Sequence, residues 1–124
     1  MTERWNQYVK ELNEVLTFSM VDGQPAPPMI VLPKFVADRI DLFREDRENG
    51  LTFFGAFEFV LWMDDKKCSE DYEFGGTDLE AVKPTKEFEK WINEWLLSDA
   101  REQKIVIALI YGYSIEGEED DGKN

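Results

Sequence analysis

Carboxylates are the side chains whose number and spacing suggest chemistry in this chain. Seven of the 27 Asp and Glu residues lie in residues 64–80, and five more lie from residue 116 onward. The first stretch contains Asp64, Asp65, Glu70, Asp71, Glu73, Asp78 and Glu80, and the second contains Glu116, Glu118, Glu119, Asp120 and Asp121. Clustered carboxylates suit cation ligation, acid–base catalysis by a pair, or imitation of nucleic-acid phosphates.

Metal ligation and carboxylate catalysis fit these stretches poorly. A calcium-binding loop needs acids at alternating positions, a Gly at the sixth position and a Glu at the twelfth. Neither "DDKKCSEDYEFGG" nor "EGEEDDGKN" has that pattern. Any chain with 27 acids contains some carboxylate pair, so a pair alone does not indicate a glycosidase-like site. We therefore expect no metal site, no cofactor and no enzymatic activity.

Other catalytic equipment is missing from the sequence. The chain has no His, which excludes Cys–His and Ser–His catalysis and imidazole ligation within it. Cys68 is the single cysteine, so an intramolecular disulfide is excluded, and we expect its acidic neighbours to raise the pKa of its thiol. The stretch "EFGGTD" lacks the spacing and the Lys of a phosphate-binding loop.

The net charge of −13 is the other strong signal. It repels nucleic acid and anionic membranes and favours basic partners, although acidity also serves solubility alone. The N-terminus has no signal-peptide pattern, and no apolar run reaches the length of about 18 residues that spans a membrane. We expect a cytoplasmic protein that binds neither nucleic acid nor membrane directly.

Hydrophobic periodicity predicts a mainly α fold, a compact single domain of about five helices, with α+β and a small sheet as the alternative. Residues 3–20 form an amphipathic helix in this interpretation, followed by turns and an extended segment in "VDGQPAPPMIVLP". Pro33 begins a second helix that ends near Gly50 and carries Arg39 on its solvent face. The apolar stripe of the first helix consists of Trp5, Tyr8, Val9, Leu12, Val15 and Leu16.

The second half predicts three further helices around an irregular acidic connection. "LTFFGAFEFVLWMDD" is typical of a buried helix, whereas residues 64–84 lack periodicity and predict a long loop. Thr85 is placed to cap a helix whose apolar face contains Phe88, Trp91, Ile92, Trp95 and Leu96. The last apolar run, residues 105–111, is ambiguous between helix and strand and is interpreted as a helix that ends at Gly112. The domain would span residues 1–116, followed by a flexible acidic tail, 117–124.

Two features could contact a partner. Trp91 and Trp95, one helical turn apart, could stack on bases, but the periodicity favours core packing for both. The acidic 64–80 segment is the better candidate, because Tyr72 and Phe74 could supply apolar anchors between its carboxylates. The predicted partner-binding residues are Asp64, Asp65, Glu70, Asp71, Tyr72, Glu73, Phe74, Asp78 and Glu80.

Several stretches resemble a family of uncharacterised small proteins encoded by phages and prophages of low-GC Gram-positive bacteria. The similarity is carried by "LPKFVADRIDLFRE", "LTFFGAFEFV", and "KWINEWLL" followed by "EQKIVIALIYGYSIE", within residues 30–116. These are mostly core and turn residues, so the resemblance implies a shared fold more than a shared activity. The acidic 64–80 segment and the "EEDD" tail depart from the usual pattern of that family.

The resemblance also implies a functional expectation. Small acidic phage proteins without catalytic residues often block host enzymes that handle nucleic acid. We therefore expect a phage-encoded inhibitor of such a defence enzyme, foremost an anti-CRISPR that keeps DNA from a CRISPR effector nuclease by DNA mimicry. The alternative is a phage accessory or regulatory module that binds a protein through an apolar helix face. The sequence leaves the oligomeric state open.

Overall fold

The computed structural model describes residues 2–72 and 79–117, and this part of the chain is mainly helical. Its helices are α1 Thr2–Leu16, α2 Lys34–Leu42, α3 Arg44–Glu48, α4 Phe53–Leu61, α5 Asp65–Tyr72, α6 Leu79–Val82, α7 Lys86–Ile92 and α8 Ser98–Tyr111. Its strands are β1 Ser19–Val21, β2 Gln24–Ala26, β3 Val31–Leu32 and β4 Ser114–Ile115. The predicted mainly α class is confirmed, and a small amount of sheet accompanies it.

Two short pairs of strands connect the helices. Strands β1 and β2 form an antiparallel hairpin, and Asp22 and Gly23 close it with positive φ values of 53° and 78°. Two consecutive left-handed residues are what the common two-residue hairpin turn requires, and Asp-Gly supplies them at low cost. Strands β3 and β4 pair in parallel, with Val31 opposite Ser114. This second pair ties the segment before α2 to the segment after α8.

The long helices α1 and α8 pack side by side and run in the same direction. Glu11 of α1 lies against Arg101 of α8, and Glu14, one turn later, lies 2.8 Å from Lys104. Because both contacts advance together along the two helices, the helices are parallel. Their C-terminal ends therefore lie at the same end of the molecule.

Charged side chains are buried where α1 meets α8. The carboxylate of Glu11 accepts hydrogen bonds from Arg101 Nε at 3.0 Å, Arg101 Nη2 at 2.9 Å and Lys104 Nζ at 3.2 Å. All three residues are buried. Burial is the largest single cause acting on the pKa of Glu11, and it raises that pKa. The hydrogen bonds from Arg101 and Gln7 and the charges of Lys104 and Arg101 together lower the pKa by more, to about 2.

The predicted apolar stripe of α1 is partly wrong as a consequence. Val15 is buried, but Trp5, Val9 and Leu16 are exposed. The helix turns a face centred on Glu11 toward α8, because the paired cations of α8 stabilise that carboxylate inside the protein. Hydrophobic periodicity alone could not identify this face, because it assigns a Glu to the solvent-facing side of a helix.

Arg39 is buried too, although the sequence places it on the solvent face of α2. Its guanidinium donates to the carbonyl oxygens of Phe59 and Val60 at 2.7 and 3.1 Å and to that of Val82. Its Cζ atom lies 5.3 to 5.8 Å from the ring centroids of Phe43, Trp62 and Phe88. The side chain thus joins the last turn of α4 to the last residue of α6.

The predicted irregular connection over residues 64–84 is wrong in its described parts, which contain α5 and α6. Asp64 caps the N-terminus of α5, because its carboxylate accepts a hydrogen bond from the backbone N–H of Lys67 at 3.1 Å. Cys68 and Tyr72, four residues apart, are the buried side chains of this helix. A stripe of two residues is too short to register as periodicity, so the acidic composition dominated the sequence signal.

The predicted helix at residues 86–97 is also shorter in the structure. It ends at Ile92, and Leu96 has a φ of 74°, so the chain turns before α8 begins. The turn carries Leu97 into the core and leaves Trp95 exposed. The prediction of core packing is therefore wrong for Trp95. Trp91 is half-buried and packs against the core. The helical interpretation of residues 105–111 is confirmed, and Gly112 follows α8 with a φ of 97°.

Candidate partner-binding site

The described part of the acidic segment forms an exposed face of the protein around helix α5. Asp64, Asp65, Glu70 and Asp71 are all exposed on α5 or at its start. The buried Cys68 and Tyr72 hold α5 in the protein, so these carboxylates sit on a fixed scaffold. Asp64 and Asp71 flank the buried pair on one side, Asp65 flanks it on the other, and Glu70 lies opposite. An ordered helix replaces the flexible loop that the sequence predicts for these residues.

Lysines join neighbouring acids to this face. Lys83 Nζ lies 3.8 Å from Asp65 and 3.6 Å from Glu80, which brings the exposed Glu80 of α6 beside the start of α5. Lys67 Nζ lies 2.9 Å from Asp71 and 3.7 Å from Glu58 of α4. We call Glu58, Asp64, Asp65, Glu70, Asp71 and Glu80 the acidic face. Its ion pairs are exposed, and such pairs contribute about 0–1 kcal/mol each.

Tyr72 is not available as an anchor for a partner, which corrects the prediction from sequence. Only 7% of the residue is exposed. Its ring makes edge contacts with Phe43 and Phe59 at centroid distances of 5.9 and 5.1 Å, and its hydroxyl donates to Asp46 at 3.0 Å. Tyr72 fixes α5 to the core. The other predicted site residues, Glu73, Phe74 and Asp78, lie outside the described residues, as do those of the tail beyond Gly117.

The thiol of Cys68 is unsuited to act as a nucleophile. Burial is the largest cause and raises its pKa, and a hydrogen bond with the Asp64 backbone lowers it by less. Among the nearby charges, those of Glu58 and Asp64 raise the pKa and that of Lys67 lowers it. The raised pKa agrees with the prediction, but desolvation is its largest cause. A thiolate, which is the reactive form, is therefore disfavoured at neutral pH.

A second surface, which sequence reasoning missed, lies at the end of the molecule where α1 and α8 terminate. Val21 of the hairpin, Met29 and Tyr111 of α8 line one cleft there, and each is more than half exposed. The only sequence signal was the presence of Val21 and Met29 in a turn-rich, proline-rich stretch. Apolar residues in such a stretch have no periodicity that would assign them to a core.

Among residues 2–72 and 79–117, no group of three acidic or cysteine side chains converges to hold a metal ion. No helix in these ranges is long and apolar enough to cross a membrane. When the chain is compared with protein-family models, curated proteins and solved structures, it matches none of them. The resemblance to small phage proteins therefore stays a prediction.

Proposed function

We propose that the protein is an acidic inhibitor that occupies the nucleic-acid-binding surface of a host defence enzyme, and that this enzyme is a CRISPR effector nuclease. The observation that carries the proposal is the acidic face, in which exposed carboxylates stand on a helix fixed to the core, on a chain of net charge −13. Electrostatic complementarity of this kind steers association and selects basic surfaces.

The dimensions of α5 suit phosphate imitation. Asp64 and Asp71 are seven residues apart, which corresponds to about 10 Å along a helix axis. Along the axis of duplex DNA one strand carries a charge about every 3.4 Å, so this length equals the axial rise of about three nucleotides. A basic groove built for a DNA strand would meet carboxylates at both ends of this length and, through Glu80, to one side.

The lysines within the acidic face do not oppose this role strongly. Lys67 and Lys83 are held by exposed ion pairs, which are worth at most about 1 kcal/mol each. Arginines of a partner can displace them, since a guanidinium binds a carboxylate through two hydrogen bonds and a lysine ammonium cannot. The acidic face therefore remains available to a basic groove despite its internal pairs.

Charge reversal tests the proposal directly. We expect a Glu70→Lys, Asp71→Lys, Glu80→Lys variant to need at least about tenfold more protein to block DNA binding by a CRISPR effector–guide complex, a loss of about 1.4 kcal/mol. Lysines near the end of α5 suit its C-terminal dipole, so we expect that helix to persist. The measurement is competition with a labelled target duplex at several salt concentrations.

A matched control separates this site from net charge. The Asp38→Lys, Asp41→Lys, Glu48→Lys variant changes the net charge equally and also breaks two exposed ion pairs, at exposed positions outside the acidic face. We expect it to inhibit within about threefold of the original protein at about 0.15 M salt, where charges beyond about 8 Å are screened. Equal losses in both variants would refute a site on α5. Failure of the original protein to inhibit any effector even at low salt would refute the inhibitor proposal.

The alternative, a protein-interaction module without inhibitory activity, is favoured by the exposed apolar cleft. Binding through that surface would persist at high salt, whereas a phosphate mimic should lose its partner steeply as salt rises. The salt series therefore distinguishes the two functions in the same experiment.

A further inference from the structure

The cleft beside the ends of α1 and α8 is an apolar surface with no charged side chain in its lining. It has a volume of about 270 Å³ and is lined by Val21, Pro27, Pro28, Met29, Tyr111 and Tyr113, with backbone and smaller side chains between them. We call the exposed members, Val21, Met29 and Tyr111, the apolar end. Leu16, Phe18 and Met20, which precede Val21 in the chain, are also more than half exposed.

The electrostatic surroundings of the apolar end are negative. Helix α8 finishes at the cleft and α1 finishes toward the same end of the molecule, and neither has a basic residue in its last turn. Each helix end carries the equivalent of about half a negative charge. Asp22, next to Val21, and Glu116, just after β4, are exposed acids beside the cleft. Arg44, which is paired with Asp41 at 2.7 Å, and Arg47 line a neighbouring cleft that also contains Gly112 and Tyr113.

This combination restricts what can cover the surface. A second copy of the chain would bring another net charge of −13 and the same two helix ends, which repel. An anionic membrane is repelled for the same reason. A polypeptide with apolar residues on one side can fill the cleft with them. Lys or Arg residues beside the apolar ones can then pair with the negative charge at the helix ends.

We propose that the apolar end binds a basic amphipathic segment of a partner protein. Its apolar side chains enter the cleft between Met29 and Tyr111, and its Lys or Arg side chains face the C-terminal carbonyls of α1 and α8. Rigid apolar side chains in a cleft supply most of the affinity in such helix-in-groove contacts, and the charges select the partner. The proposal shares no residue with the acidic face and does not depend on nuclease inhibition.

The test uses a labelled amphipathic Leu–Lys peptide of about 15 residues, or about four helical turns. Its binding is followed by fluorescence anisotropy at about 0.15 M salt, with a Leu–Glu peptide of the same pattern as its counterpart. We expect the Leu–Lys peptide to bind and the Leu–Glu peptide to bind at least about tenfold more weakly. Equal binding of both would overturn the proposal, because the helix ends would then select nothing.

Substitutions on the protein locate the contact. We expect Met29→Gln with Tyr111→Gln to weaken binding of the Leu–Lys peptide by at least about tenfold, because the walls of the cleft become polar. The matched control is Phe54→Gln with Met63→Gln, since these side chains are exposed to a similar degree, 74% and 75%, but do not line the cleft. It should leave the affinity within about twofold.

Three outcomes would overturn the proposal at this stage. An equal loss in the control pair would mean non-specific apolar adhesion. Loss of peptide binding in the Glu70→Lys, Asp71→Lys, Glu80→Lys variant, with none in the cleft variant, would place the peptide on the acidic face. A dimer in sedimentation experiments that Met29→Gln with Tyr111→Gln dissociates would identify a second copy as the occupant.

Discussion

Replacement of Glu11 by Gln is expected to lower the free energy of unfolding by about 3 kcal/mol, near the lower limit for breaking a buried ion pair. The substitution preserves the shape of the side chain but leaves Arg101 and Lys104 buried without the carboxylate between them. Glu94 and Glu14 still contact these cations from the protein surface, which limits the loss. The measurement is urea unfolding, and the thermal midpoint should fall by about 10 °C.

Glu14→Gln is the matched control for this prediction. Glu14 lies on the same helix and contacts the same Lys104, but 38% of its side chain is exposed. We expect a loss of at most about 1 kcal/mol, as for other solvent-exposed pairs. If the two substitutions cost the same, burial of the Glu11 carboxylate contributes nothing special to stability.

The same carboxylate should make stability depend on acid. The pKa of Glu11 is about 2 in the folded protein and 4.5 for the ordinary side chain. Because the folded pKa is the lower one, its contribution of about 3 kcal/mol is present above about pH 4.5 and is lost as the pH falls toward 2. The difference in unfolding free energy between the original protein and Glu11→Gln should therefore shrink over this range. A difference that stays constant down to pH 2 would contradict the low pKa.

The elements that the sequence predicts well are those with a long apolar signal. Helix α4 lies within the predicted buried helix, α8 contains the apolar run that the sequence interprets as helical, and the extended residues before Pro33 form β3. Apolar side chains at helical spacing are sufficient to identify such elements, because their burial determines their conformation. The hairpin turn at Asp22 was also visible, because Asp-Gly favours left-handed backbone.

The elements that the sequence misses depend on contacts between distant residues. Glu11 and Arg101 are 90 positions apart, and neither is apolar, so no local pattern indicates that each makes the burial of the other possible. The burial of Tyr72 depends on its contacts with Phe43 and Phe59 and on Asp46, 26 positions earlier. The acidic composition of residues 64–80 indicated the exposure of its described carboxylates but concealed the helices α5 and α6.

Arg39→Met is expected to lower the free energy of unfolding by about 3 kcal/mol. Arg39 donates hydrogen bonds to the carbonyls of Phe59, Val60 and Val82. Met fills much of the same volume but leaves these carbonyls unpaired, and each buried unpaired polar group costs about 1–3 kcal/mol. Relief of the desolvated charge offsets part of that cost. Burial lowers the pKa of Arg39 to about 10, and the guanidinium is therefore still charged at neutral pH.

Two further variants separate the hydrogen bonds of Arg39 from its charge. Arg39→Lys keeps the charge, but an ammonium cannot reach three carbonyls arranged around a planar guanidinium, so we expect a loss at least as large as for Met. Arg44→Met removes an exposed arginine of the neighbouring helix α3, whose pair with Asp41 is solvent-exposed, and should cost less than about 0.5 kcal/mol. If Arg39→Lys were as stable as the original protein, charge rather than the joining of α4 to α6 would account for the burial of this side chain. Hydrogen exchange supplies the local measurement, because loss of the three bonds should lower amide protection at the end of α4 more than in α8.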